Sequence, residues 1–173
     1  MRIPMYKISV VNSQRKIKLN AAALKKTAAA TLSFLKEKTK VLSVYIVDDF
    51  EIRSLNYKYR SVDRPTDVLA FSMSEGSSLK GSEGILGDVV ISVETALRQA
   101  KLLDRSLNEE MNLYLVHGIL HLAGYDDACS RGRKEMERLQ EKTGILFPRL
   151  NSFALLPSYW NMKLIDWHSN PCQ

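Results

Sequence analysis

One segment constrains the fold of this 173-residue chain more than any other. Ser106-Leu-Asn-Glu109 has the spacing of a capping box, which fixes a helix start firmly. The run that follows is apolar on nearly every side: Met111, Leu113, Tyr114, Leu115, Val116, Ile119, Leu120 and Leu122. A helix of that kind cannot lie on a surface; it is buried, with other elements packed around it. Gly124 then permits the left-handed residue that commonly ends a helix.

The same helix carries two of the chain's three histidines, His117 and His121. Residues four apart lie one above the other on a helix face, about 5–6 Å apart at Cβ, so both imidazoles can reach one ion. Burying two imidazoles without partners would cost about 1–3 kcal/mol each, and a single metal satisfies both. Beyond Gly124 the chain folds back with Asp126 and Asp127, either of which can supply a third ligand. The spacing His-x-x-x-His-x-x-Gly-x-x-Asp has the register of the metzincin zinc motif, with two differences. Gly118 stands where that motif has glutamate, and Asp127 stands where it has its last histidine.

Apolar and charged fractions of 45% and 25% are those of a globular protein and exclude disordered and fibrous classes. The opening Met1-Arg-Ile-Pro-Met-Tyr-Lys-Ile lacks the apolar core of a signal peptide. The longest uncharged run, Met111 to Tyr125, is too short to span a bilayer. Cys129 and Cys172 form no Cys-x-x-Cys pair, so no disulfide framework is expected. The expected location is cytoplasmic, without membrane contact. Residues 1–40 hold ten Lys or Arg against one acid, Glu37, leaving fifteen against eighteen in the remainder. Such concentration of positive charge at one end suits a polyanion partner, although a solvated lysine-rich helix face has the same composition.

Along the chain, Lys7 to Val11 and Val41 to Val47 read as strands, as do 66–73 and 85–92. Asn20 caps a helix expected to reach about Lys38, and Asp48 or Asp49 caps another through Tyr59. Ser92 starts a helix to about Leu103, and a last amphipathic helix spans about Ser130 to Thr143. Ser74 to Gly84 is polar and rich in Gly and Ser, hence a loop. The order β-α-β-α-β-β-α-α-α predicts an α+β domain over residues 1–150: a mixed four-stranded sheet packed with about five helices, with a metalloprotease-like metal site at the end of a buried helix. Residues 151–173 are expected to be an irregular tail docking through Trp160 and Trp167.

Three ordered blocks carry a resemblance. They are Asn56-x-x-Tyr59-Arg60-x-x-Asp63-x-Pro65-Thr66-Asp67-Val68-Leu69-x-Phe71, then Leu86-Gly87-Asp88-Val89-Val90-Ile91-Ser92, then His117-Gly-x-Leu-His121-Leu-x-Gly124-Tyr125-Asp126. Together they resemble the YbeY family of bacterial metal-dependent endoribonucleases, over roughly residues 5–147. The resemblance implies one zinc or other divalent ion on His117, His121 and the position of Asp127, where the family has a histidine. Ala70 and Ser72 also depart from it, the family usually having Ser and Pro around the Phe. It implies that Arg60 lies in the active-site cleft as a catalytic residue with His117. It further implies cleavage of single-stranded ribosomal RNA in small-subunit 3′-end maturation, with rRNA and the ribosome as partners and no DNA.

Three ligands leave one position open for chemistry, as in catalytic zinc sites. An arginine such as Arg60 matches phosphate oxygens bidentately. Asp67 and Asp88 suit either a hydrogen-bonded role behind a ligand or, as favoured here, turn and strand-end roles. Asp126 suits a base or a turn residue. His168, beside Trp167, is not expected to ligate. Two other activities compete: a non-catalytic ribosome-assembly factor with a structural metal, and a metallopeptidase, which lacks its usual glutamate at Gly118.

Overall fold

The computed structural model describes residues 6–37, 41–73, 84–127 and 129–142, the side chains of 141 and 142 excepted. Four strands and five helices follow in the order β1 (Lys7–Asn12), α1 (Ala21–Phe34), β2 (Val41–Val47), α2 (Asp49–Arg60), β3 (Val68–Ser72), β4 (Ile85–Ser92), α3 (Val93–Leu102), α4 (Leu107–Leu122) and α5 (Ser130–Lys142). The strands form one mixed sheet in the order β1-β2-β4-β3. β1, β2 and β4 run parallel, while β3 is antiparallel to β4. The expected α+β architecture is therefore present. The anticipated Ser74 to Gly84 loop, except for Gly84, together with Trp160, Trp167, His168 and Cys172, lies outside the described residues.

Strand alternation sends successive side chains to opposite faces of the sheet. Leu42, Val44, Ile46, Val68, Ala70, Val89 and Ile91 join the larger core with residues of α1, α3 and α4. Val47, Leu69 and Val90 pack on the other face with Ile52 and Leu55 of α2. α4 is the central helix, with twelve of its sixteen residues buried. Its close seat on the sheet depends on Gly118: a Cβ there would lie 2.7 Å from Val89 Cγ1 and 3.1 Å from Cγ2.

The capping box at Ser106 and Glu109 is formed in both directions. At the other end of α4, the Gly124 N–H donates to the His121 carbonyl and the Tyr125 N–H to that of Leu120. With Gly124 at φ +88°, this is the two-bond closure that turns a chain sharply off a helix. Tyr125 then packs back on Val116 and Leu120.

The first helix stops at Phe34, short of the expected Lys38. The same two-bond closure ends it, with Lys36 at φ +55° and the Glu37 N–H donating to the Leu32 carbonyl. A lysine thus takes the position usually given to glycine, so no glycine announces the stop. β3 begins at Val68, two residues later than expected. There the Asp67 carboxylate accepts from the Val68 N–H and the Thr66 hydroxyl, making a turn of the segment just before the strand. No helix among the described residues is long and apolar enough to cross a membrane.

Candidate metal centre

His117 and His121 project from the last turns of α4, and the turn at Gly124 brings Asp127 back beneath them. The two Nε2 atoms lie 3.0 Å apart. Asp127 Oδ2 is 3.8 Å from His117 Nε2, and Oδ1 is 3.8 Å from His121 Nε2. All three residues are buried, and one potential ligand atom from each falls within a 4.8 Å cluster. Asp126, the other candidate for third donor, is exposed. Its carbonyl is pressed against α5: a side chain at Gly132 would run into it, so this glycine lets the acidic turn and the helix approach.

Burial pushes the His117 pKa well below the ordinary imidazole value, with His121 adding to the effect. Burial also takes His121 down to about 4, against opposition from Asp126 and the Tyr125 backbone. Asp127 moves the other way, up to about 6, through burial and the neighbouring Asp126. Both imidazoles are thus neutral near pH 7, the state in which histidine binds metals. A cation would reverse the cost of the buried Asp127 carboxylate.

The donor set fits a divalent ion. Two ligands at 2.0–2.1 Å from a tetrahedral zinc lie about 3.3–3.4 Å apart, bracketed by the separations found here. Nitrogen and carboxylate donors are also within zinc's usual chemistry.

Arg60 is the last residue of α2 and half-buried. Burial lowers its pKa, and the Asp67 carboxylate opposes that shift. The carboxyl of Asp67 is itself raised by burial. Asp67 also acts electrostatically on Asp127, so Arg60 and the donor cluster share one acidic neighbour. The loop after α2 is tied down by buried Asn56, whose amide donates to the Arg64 carbonyl at 2.8 Å. Asp88 sits half-buried in mid-β4, paired across the sheet with Ser43 and Phe71.

Two features escape a reading of the sequence. Gln140 of α5 is buried, with its amide 2.9 Å from His117 Nδ1. The available signal is its place on the inward face of α5, after Met136 and Leu139. The second feature is an ion pair at the start of α4, partly buried Arg105 before the helix to buried Glu110 within it at 3.2 Å, with Tyr114 hydrogen-bonded to the same carboxylate.

Gly118 bears on the peptidase alternative. Its position faces Val89 and Val68 of the sheet, so a side chain there would enter the core and could not serve as a base beside His117.

Fold and site together define an α+β domain with a three-donor candidate metal site at the C-terminal end of its central helix. The family model described as Endoribonuclease YbeY matches residues 9–145. The chain belongs to that family. Endoribonuclease YbeY of Aquifex aeolicus (strain VF5) is 45% identical over 137 residues, covering 79% of this chain and 88% of its own. Endoribonuclease YbeY of Syntrophotalea carbinolica is 38% identical over 144 residues, with coverages of 83% and 95%. A Thermotoga maritima protein solved in solution superposes with a TM-score of 0.56 at 26% identity, over 81% of this chain and 89% of that one.

Proposed function

We propose that this chain is a metal-dependent endoribonuclease that cleaves single-stranded ribosomal RNA precursors at the 3′ end of the small-subunit rRNA, working in contact with the ribosome. The observation that carries the proposal is the convergence of His117, His121 and Asp127 on one point, in a chain of an endoribonuclease family. These three residues would hold zinc. When bound, the ion supplies Lewis acidity toward a phosphodiester and makes water nucleophilic near neutral pH.

The remaining chemistry belongs to the chain's own side chains. Arg60 binds the phosphate and neutralises the charge that grows on its oxygens as the bond breaks. Its guanidinium stays protonated throughout, since arginine does not titrate under working conditions. Asp67 orients it: a carboxyl group held in place by Thr66 and the Val68 N–H is the acidic neighbour of the guanidinium. His117 acts as ligand and as wall of the site. Exposed Lys7, Arg15, Lys18, Lys25 and Lys26 provide attraction for the RNA backbone away from the cleavage point.

The test is cleavage of unstructured RNA and of a matched single-stranded DNA by the purified chain, with and without chelator. Chelator-sensitive RNA cleavage that His117→Ala and Arg60→Ala each abolish, with folding retained, is the expected result. Persistent RNA binding without cleavage in any form would favour an assembly factor with a structural metal and overturn the proposal.

A further inference from the structure

Neutral imidazole carries one ring proton, and ligation through Nε2 requires that proton on Nδ1. Whatever faces Nδ1 must then accept. For His117 the facing group is the buried Gln140 amide from a helix 23 residues on in sequence, placed with its Nε2 2.9 Å from Nδ1, so that ligation requires the amide to turn. An amide can satisfy either ring tautomer. With its nitrogen toward Nδ1 it donates, which drives the ring proton to Nε2 and blocks ligation. Turned by 180°, it presents Oε1 and holds Nδ1–H. Nitrogen and oxygen of an amide occupy nearly the same space, so the turn leaves packing unchanged. The two histidines differ here: among the described residues Nδ1 of His121 has no hydrogen-bond partner of normal geometry, although the Tyr125 backbone acts on the ring.

We propose that Gln140 is a positioning residue for the candidate metal centre: through Oε1 it fixes His117 as the Nδ1–H tautomer and so aims Nε2 at the cation. The proposal rests on the metal reading of His117, His121 and Asp127. It gives α5 a part in the site, since Met136 and Leu139 of α5 pack beside Val116 and Leu120 of α4 and hold Gln140 in place. Outer groups that orient a ligand imidazole are worth roughly 10–100-fold in metal affinity.

The experiment uses the full chain and zinc alone, titrated in competition with a fluorescent chelator. Gln140→Leu, which keeps the bulk and removes the acceptor, is expected to weaken zinc binding roughly 10–100-fold. Gln140→Glu, which keeps an acceptor, is expected to bind zinc at least as tightly as the wild type. A purely structural role would lower the melting temperature of the two variants without separating their zinc affinities. Nitrogen-15 correlation spectra of the zinc-loaded wild type read the tautomer directly and need no variant to fold. A proton on Nδ1 of His117 supports the proposal, and one on Nε2 overturns it. Wild-type zinc affinity in Gln140→Leu overturns the tautomer role alone. Absence of zinc binding by the wild type overturns the metal reading, and this role with it.

Discussion

Replacing Asp127 by asparagine should separate the stability of this fold from its capacity to bind metal. Burial and Asp126 raise the Asp127 carboxyl from 3.8 to about 6. Taken without solvent screening, that rise sets an upper bound of about 3 kcal/mol. Because the folded carboxyl binds its proton more tightly than the unfolded one, the metal-free fold loses stability as pH rises from about 4 to about 6. Above that window the ionised carboxylate carries the whole cost. An asparagine never ionises, but its amide must still be desolvated, and residual access to water screens the original charge. The expected gain from Asp127→Asn is therefore about 1–2 kcal/mol at pH 7.5, falling below about 0.5 kcal/mol at pH 4. His121, held down at about 4, contributes the opposite slope between 4 and 6.5, but it does so in both proteins and cancels in the difference. Urea unfolding in chelator at the two pH values measures the effect. Zinc should reverse the ranking: at a thousand times its Kd it adds about 4 kcal/mol to the wild type, and far less to the variant. The reasoning fails if Asp127→Asn is the less stable protein in chelator at pH 7.5, or if its gain is the same at both pH values.

Gly118→Ala forces a methyl against Val89 and should cost about 1–3 kcal/mol in urea unfolding, an unchanged midpoint contradicting the close helix–sheet seat. Arg105→Met strips buried Glu110 of its ion pair; a loss of about 1–3 kcal/mol is expected at pH 8, shrinking at acidic pH because burial favours the protonated carboxyl. Calorimetry under the two conditions checks this. For RNA, exchanging both Lys25 and Lys26 for alanine should flatten the slope of log K against log salt by about 1.4, at about 0.7 per phosphate contact. An unaltered slope would remove α1 from the RNA contact.

Local chemistry made most of the fold legible. The Ser106 box, the Asn20 and Asp48 caps and the Gly124 turn each satisfy backbone groups within a few residues, so sequence neighbours suffice to reveal them. Where the same turn is built on Lys36, no glycine marks it and the helix is drawn too long. The histidine pair and the acidic turn are likewise local, and the third donor was narrowed to two adjacent aspartates. Spacing alone left both open; the family register pointed to Asp127, and that is the aspartate the structure buries beside the histidines while Asp126 is exposed. Gln140 lay out of reach: it meets His117 across 23 residues of chain, through helix packing that no local pattern encodes.

The candidate centre draws its parts from regions of unequal cohesion. Both imidazoles belong to α4, which is enclosed by α1, α3, α5 and the sheet, and such a helix exchanges its amide protons only through the rarest openings. Asp127 and Gln140 come from a turn and from α5, whose packing on α4 runs through Met136, Leu139 and Gln140, and a smaller contact of that kind is expected to open at lower cost. Ion exchange would then be governed by transient detachment of that outer piece, at rates unconnected with global unfolding. Strong chelators would extract the metal from a molecule whose interior stays intact, and reloading would need no refolding.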